Sequence, residues 1–159
     1  MAENNLPLEL SGLEACLGYK FKNLDLLRTA TTHSSYVNEV RTKGESVECN
    51  ERLEFLGDSV LSIIVSRYLF AEYKDIQEGE LTKIRASVVC EKALAKYSRE
   101  IGLGDYLRLG KGEDLNNGRQ RPSIIADAFE AVLGAFYIDT DFNSEPIAKF
   151  LLPFVTKEI

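Results

Sequence analysis

The segment from Ile124 to Ile138 constrains this chain more than any other. Its fifteen residues carry only two charges, Asp127 and Glu130. Apolar side chains fall on every side of a 3.6-residue period, and a helix that is apolar all round belongs in a core. Pro122 suits the first turn of such a helix, which is expected to reach Ile138. Asp127 and Glu130 stand three apart and share a face. The segment holds no Lys or Arg to pair them. Unpaired buried carboxylates are costly, so groups of this kind are usually paired or bound to metal.

A second segment has the same character. A long helix is expected from Asn50, as cap or interior residue, to about Tyr73. Beyond Asp58 it reads Val60-Leu61-Ser62-Ile63-Ile64-Val65, again apolar on nearly every side. Upstream, Glu51, Glu54 and Asp58 fall within an arc of about 60°, opposite Leu53, Leu56 and Val60. Glu54 and Asp58 are about 6 Å apart along the axis and Glu51 is about 10 Å from Asp58, so Glu51 belongs to an outer shell. Read alone, this is an amphipathic helix with a solvated acidic face. If the two central helices face each other, however, Glu54, Asp58, Asp127 and Glu130 converge. Four carboxylates with no histidine or thiol among them favour a hard cation, Mg²⁺ or Mn²⁺. The chemistry that follows is phosphate-ester hydrolysis.

The remaining elements also read as helices. Ser11-Gly12-Leu13-Glu14 has the capping-box pattern for a short helix ending near Gly18. Asn23 is placed to cap a helix carrying Leu24, Leu27 and Thr31. Helices are expected near 78–88 and 90–101, the second ending at Gly102. Residues 104–121, rich in glycine, read mainly as loop, with Asn116-Asn117-Gly118 an exposed turn. Ser144 and Pro146 start a last helix. No stretch alternates apolar and polar residues over strand length, so the fold is expected to be all-α, one domain over residues 1–159.

Composition narrows the function. The net charge of −6 argues at first against a polyanionic partner, but the charge is uneven. Between Lys83 and Arg121 nine Lys/Arg face five Asp/Glu, and the rest of the chain has ten against twenty. An acidic body with a basic strip is compatible with nucleic acid if something cationic offsets the acids. No apolar run is long enough to span a membrane. Met1-Ala2-Glu3-Asn4-Asn5 lacks the regions of a secretory leader. Cys16, Cys49 and Cys90 are widely spaced and form no C-x-x-C pair, which fits a reducing, cytoplasmic setting with the thiols as small buried filler.

The wording around these acids is specific. Asn50-Glu51-Arg52-Leu53-Glu54-Phe55-Leu56-Gly57-Asp58-Ser59-Val60-Leu61 closely resembles the signature of the ribonuclease III family. Glu78-Gly79-Glu80-Leu81 with Arg85-Ala86 reinforces the resemblance, as do Leu109-Gly110-Lys111-Gly112-Glu113 and the run from Ser123 to Ala131. It extends from about Leu13 to Thr156. The resemblance implies an all-helical homodimer whose subunits each cut one strand of double-stranded RNA, in processing of rRNA and other transcripts, leaving 5′-phosphate and 3′-hydroxyl ends. Carried onto this chain, it implies Glu54, Asp58, Asp127 and Glu130 as metal ligands, with Asp58 and Glu130 as the catalytic pair. It implies Glu51 and Glu78 as accessory acids and Phe55 as a knob that enters the partner subunit. Bacterial members usually continue into a double-stranded RNA-binding domain. That domain is absent from this chain, which ends at Ile159, and truncation is the expected explanation.

Weaker signals surround this core. Arg108, Lys111, Arg119 and Arg121, in the glycine-rich stretch, are the best candidates for phosphate contacts. The stretch is no P-loop, since G-x-x-x-x-G-K-[ST] is missing. His33, the only histidine, reads as structural or surface. Two other functions remain open at this level. One is an all-helical, Mg²⁺-dependent nucleotide pyrophosphohydrolase, which also sets acidic pairs on facing helices. The other is a non-catalytic RNA-binding relative, although such relatives lose the metal carboxylates and this chain keeps all four.

Overall fold

The two carboxylate-bearing segments form the paired helices at the centre of a computed structural model that describes residues 7–159. The expectation about Met1–Asn5 lies outside the described residues. The helices are α1 (Leu10–Leu17), α2 (Leu24–Ala30), α3 (Ser34–Arg41), α4 (Glu51–Glu72), α5 (Glu78–Val89), α6 (Glu91–Glu100), α7 (Lys111–Leu115), α8 (Pro122–Asp139) and α9 (Glu145–Glu158). Short 3-10 turns occupy Leu103–Tyr106 and Gly118–Gln120. No strand occurs among the described residues; a single isolated bridge joins Thr32 to Arg108. The all-α expectation therefore holds.

Helix α8 is the hub. It buries Ile125, Ala128, Phe129, Ala131, Leu133 and Phe136 almost completely, with α4 and α6 on its flanks. Each such large side chain contributes about 1.5–3 kcal/mol by leaving water. The α4–α8 pairing is the most extensive in the molecule, and two glycines set its closeness. A Cβ built on Gly57 would overlap the Glu130 carbonyl oxygen, and one on Gly134 would overlap the Leu53 carbonyl oxygen. With no side chain at either crossing point, the two backbones meet directly. Glu54, one turn before Gly57, and Asp58, next to it, are thereby brought against the acids of α8.

Several boundaries follow the local chemistry. The Asn23 side chain accepts a hydrogen bond from the Asp25 N–H at 3.1 Å. Gly18 takes a left-handed conformation (φ 69°) that closes α1. At the far end of α8, Asp139 accepts from the Tyr19 hydroxyl at 2.6 Å and from the Lys22 and Asn23 N–H groups at 2.8 and 2.9 Å. This carboxylate ties the α1–α2 connection to the central helix.

Four expectations need correction. Ser11 lies inside α1 rather than capping it, because the helix begins at Leu10 with Glu9 at the cap position. Glu14, expected to close the capping box, instead accepts from the Phe21 N–H at 2.6 Å. Residues 104–121 contain α7 and the 3-10 turn at Gly118–Gln120, held together from within by Arg119, whose partners local sequence does not reveal. Cys16 and Cys90 are exposed and Cys49 half-buried, so none is core filler; all three sit at helix ends or in connections, away from the apolar interior. Helix α3, short and polar with only Tyr36, Val37 and Val40 as apolar residues, went unforeseen.

Candidate active site

Glu54 and Asp58, one turn apart on α4, face Asp127 and Glu130, one turn apart on α8. Glu54 lies against Asp127, and Asp58 against Glu130. Burial, then the charge and hydrogen bond of Asp127, then Glu51 and Asp58, push Glu54 up to about 7. Burial, then the hydrogen bond and charge of Asp58, then Glu54 and Asp127, push Glu130 up to about 8. Asp127 is also raised, by burial and by Glu91, while its bond from Glu54 and the nearby His33 pull it back. Glu54 and Glu130 are thus the two acids whose neutral form burial and crowding favour most.

Glu54, Asp58, Asp127 and Glu130 lie on the facing sides of α4 and α8 as two carboxylate pairs. No group of three or more His, Cys, Asp or Glu side chains among the described residues is gathered tightly enough to hold a metal ion as it stands. The donor set nonetheless fits one. Carboxylates crowded at one crossing repel one another, and a divalent cation would offset that charge. The donors are all carboxylate oxygens, the ligands that Mg²⁺ and Mn²⁺ prefer.

The outer positions differ in their placement. Glu51 is exposed at the first turn of α4, and its charge reaches both Glu54 and His33. Glu78 opens α5, accepts from the Thr82 hydroxyl at 3.1 Å and lines a groove with Ser66, Phe70 and Arg85. Ser66 lies eight residues past Asp58, about 12 Å along the helix. Within one chain Glu78 is thus set apart from the cluster. Glu91, at the start of α6, stands near Asp127 instead, a position that no motif signalled.

The basic candidates divide in the same way. Arg119 is 8% exposed. Its guanidinium donates to the Gly104 and Leu107 carbonyls at 3.0 and 2.6 Å and pairs with Asp114 at 3.0 Å. It holds the glycine-rich stretch together and is not free to meet RNA, contrary to expectation. Arg108 is half-buried, donates to the Thr32 hydroxyl at 2.9 Å and lies over the Tyr36 ring. Arg121 pairs with Glu113 at 2.9 Å but keeps an exposed edge, and Lys111 is exposed.

Phe55 lies on the opposite side of α4 from Leu53 and is 80% exposed. It edges a groove of about 870 Å³ whose walls include Leu26, Cys49, Leu56 and Ile138.

Fold and site together define an all-helical protein built around a four-carboxylate centre that spans two directly packed helices. A family model described as Ribonuclease-III-like matches residues 23–154. The chain belongs to the ribonuclease III family. It is 52% identical over 137 residues to a protein named Ribonuclease 3 from Oceanobacillus iheyensis, covering 86% of this chain and 59% of that protein. A protein of the same name from Clostridium perfringens is 54% identical over 132 residues, covering 83% and 54%. The chain thus spans less than two thirds of these curated relatives. Among solved structures, the nuclease domain of ribonuclease III from Campylobacter jejuni superposes with a TM-score of 0.84 at 38% identity, covering 95% of this chain and 99% of that one. That structure is described for flexibility in a region involved in dimer formation. Dicer from Pichia stipitis matches with a TM-score of 0.63 at 26% identity, covering 86% of this chain and 55% of that one.

Proposed function

We propose that this chain is the catalytic domain, residues 1–159, of a cytoplasmic endoribonuclease. It acts as a homodimer and hydrolyses phosphodiester bonds in double-stranded RNA to 5′-phosphate and 3′-hydroxyl ends. Glu54, Asp58, Asp127 and Glu130 would hold Mg²⁺, for which Mn²⁺ can substitute. The observation that carries this reading is the grouping of four carboxylates across the Gly57–Gly134 crossing, with no ion pair to a basic side chain among the described residues, in a chain of this family.

The division of labour follows from the site. When bound, the cation supplies Lewis-acid charge at the phosphorus under attack. Asp58, at the exposed edge of α4, and Glu130, half-buried on α8, are the catalytic pair, while Glu54 and Asp127 complete the ligand set. Glu51 lines the margin as an accessory acid, and Glu78 reaches the valley only from elsewhere in the assembly. Lys111 and the free edge of Arg121 are the phosphate contacts, with Arg108 behind them shaping the loop.

Phe55 and its groove support the dimer. A phenyl ring so exposed is disfavoured in water, and a two-fold interface sets the same patch against itself, so knob and groove satisfy each other. No helix of the described residues is long and apolar enough to cross a membrane. The cytoplasmic placement rests on three unpaired thiols.

The test is incubation with long double-stranded RNA in Mg²⁺ and in chelator. Cleavage in Mg²⁺ with 5′-phosphate ends, and none in chelator, is the expected result. Release of nucleoside monophosphates from nucleoside triphosphates, with the RNA intact, would favour a pyrophosphohydrolase instead.

A further inference from the structure

Asn50 stands directly before α4 and does not do what its residue type does best there. Asparagine is among the strongest helix N-caps, and a capping side chain accepts from an N–H two or three residues on. The Asn50 side chain makes no such bond, and its backbone (φ −86°, ψ 4°) lies outside the extended region that a capping residue takes. The residue is instead 6% exposed, and burial of a polar amide costs free energy unless the amide is hydrogen-bonded. Its Nδ2–H donates to the Ala30 carbonyl at 3.1 Å, and its main-chain N–H donates to the Thr32 carbonyl at 2.9 Å. Both bonds reach across to the end of α2. That anchor is firm, for Ala30 and Thr32 are fully buried. The Thr32 hydroxyl donates to the Arg28 carbonyl at 2.6 Å, the Arg108 N–H donates to the Thr31 carbonyl at 2.7 Å, and the Arg108 carbonyl accepts from the His33 N–H at 3.0 Å. On its other side, the Asn50 carbonyl accepts the Glu54 N–H at 2.8 Å, which is the first helical bond of α4. The first turn of a helix frays most readily, since its leading N–H groups have no helical partners. In this turn Glu51 and Arg52 are exposed and Leu53 alone is buried. The Gly57–Gly134 crossing holds α4 further along, beside Asp58. Glu54 lies one turn outside that crossing, so its place against Asp127 depends on how the first turn is held.

We propose that Asn50 is a positioning residue for the acidic centre: its bonds to the Ala30 and Thr32 carbonyls fix the first turn of α4 and thereby hold Glu54 against Asp127 as one ligand pair. Its meaning for the reaction rests on the metal-site reading above. Removal of a group that orients a ligand carboxylate typically costs about 10–100-fold in metal affinity or activity. A pure capping role makes a different demand, since it needs a side-chain acceptor and no bond to Ala30.

Two substitutions separate the roles. Asn50→Ser keeps an N-cap as good as asparagine, but its shorter side chain stops short of the Ala30 carbonyl. Asn50→Ala neither caps nor reaches. Amide hydrogen exchange in chelator, Mn²⁺ affinity by calorimetry, and kcat and KM on double-stranded RNA are compared with wild type. In both variants the Glu54 amide should exchange about tenfold or more faster, while the amides of Val60 to Val65 keep their wild-type rates. Both should bind Mn²⁺ about tenfold or more weakly, with kcat reduced and KM little changed. Wild-type behaviour of Asn50→Ser beside losses in Asn50→Ala would make capping the role and overturn the proposal. Equal acceleration at Glu54 and at Val60 to Val65 would make it a general loss of stability, and would overturn it too. A second measurement needs no variant. In the metal-free wild type the Glu54 amide should exchange nearly as slowly as those of Val60 to Val65; the rapid exchange of a frayed helix end would overturn the proposal. Glu54→Gln is run in parallel. If it leaves Mn²⁺ binding intact, the metal-site reading has failed and takes this proposal with it; if it abolishes binding while Asn50→Ser does not weaken it, only the role of Asn50 has failed.

Discussion

Raising the pH from 6.5 to 8.5 in the presence of chelator should destabilise this protein, and Mg²⁺ should remove most of the effect. Glu54 and Glu130 are raised to about 7 and about 8, against about 4.3 for an unfolded glutamate. A group whose folded pKa is raised contributes stability that is complete below its unfolded pKa and is lost as pH climbs through the folded value. Across this window the folded state therefore releases protons that the unfolded state has already lost, and stability must fall. Taken at face value the two shifts predict a loss of nearly 3 kcal/mol, and discounting by about half for partial solvent access leaves roughly 1.5 kcal/mol. For a chain of this size, 1 kcal/mol moves Tm by about 2–4 °C, so Tm should drop by about 3–6 °C. His33, whose pKa burial lowers, titrates with the opposite sign below the window and does not obscure it. The assay is a series of thermal melts in chelator and in saturating Mg²⁺. Glu130→Gln should remove the larger part of the slope in chelator, raise Tm at pH 8.5, and abolish both the Mg²⁺ response and RNA cleavage. A flat Tm across the window in chelator, or identical slopes with and without Mg²⁺, would refute the claim that burial and crowding keep these carboxylates neutral where no cation offsets them.

Three further outcomes follow from packing. Gly57→Ala should cost about 4 kcal/mol or more in chemical denaturation, because its methyl group meets the Glu130 carbonyl on a rigid helix; a loss below 1 kcal/mol would show that α4 and α8 can separate easily. Arg119→Ala should cost about 2–4 kcal/mol by stranding the Gly104 and Leu107 carbonyls and the Asp114 carboxylate. RNA affinity, measured at fixed salt on protein that remains folded, should be unchanged; a drop comparable to that of Lys111→Ala would restore Arg119 as an RNA contact. Phe55→Ala should leave the fold of each subunit intact, since the ring is exposed, while weakening self-association by roughly 3–5 kcal/mol if the ring is buried in the dimer. Sedimentation at low concentration checks this, and an unaltered dimer would remove Phe55 from the interface.

Local sequence sufficed for the framework of this protein because the forces that build the framework are local or periodic. The all-round apolar run of α8 could only be a central helix, and its two acids had to lie on one face whatever surrounded them. The arc of Glu51, Glu54 and Asp58 followed from helix geometry alone, and the Asn23 cap from side-chain chemistry within two residues. Position along the chain carries no information, however, about partners far apart in it. That Glu54 pairs with Asp127 and Asp58 with Glu130 depends on the register of α4 against α8, set by the mutual approach of Gly57 and Gly134 across 77 residues of sequence. That Arg119 is a buried strut rather than a phosphate contact depends on carbonyls at 104 and 107 whose free valences no sequence pattern reveals. That Glu91 stands near Asp127 depends on where separate helix ends meet. Helical period fixes which side chains share a face; only tertiary packing decides what each face meets, and at this site the meeting of faces makes the chemistry.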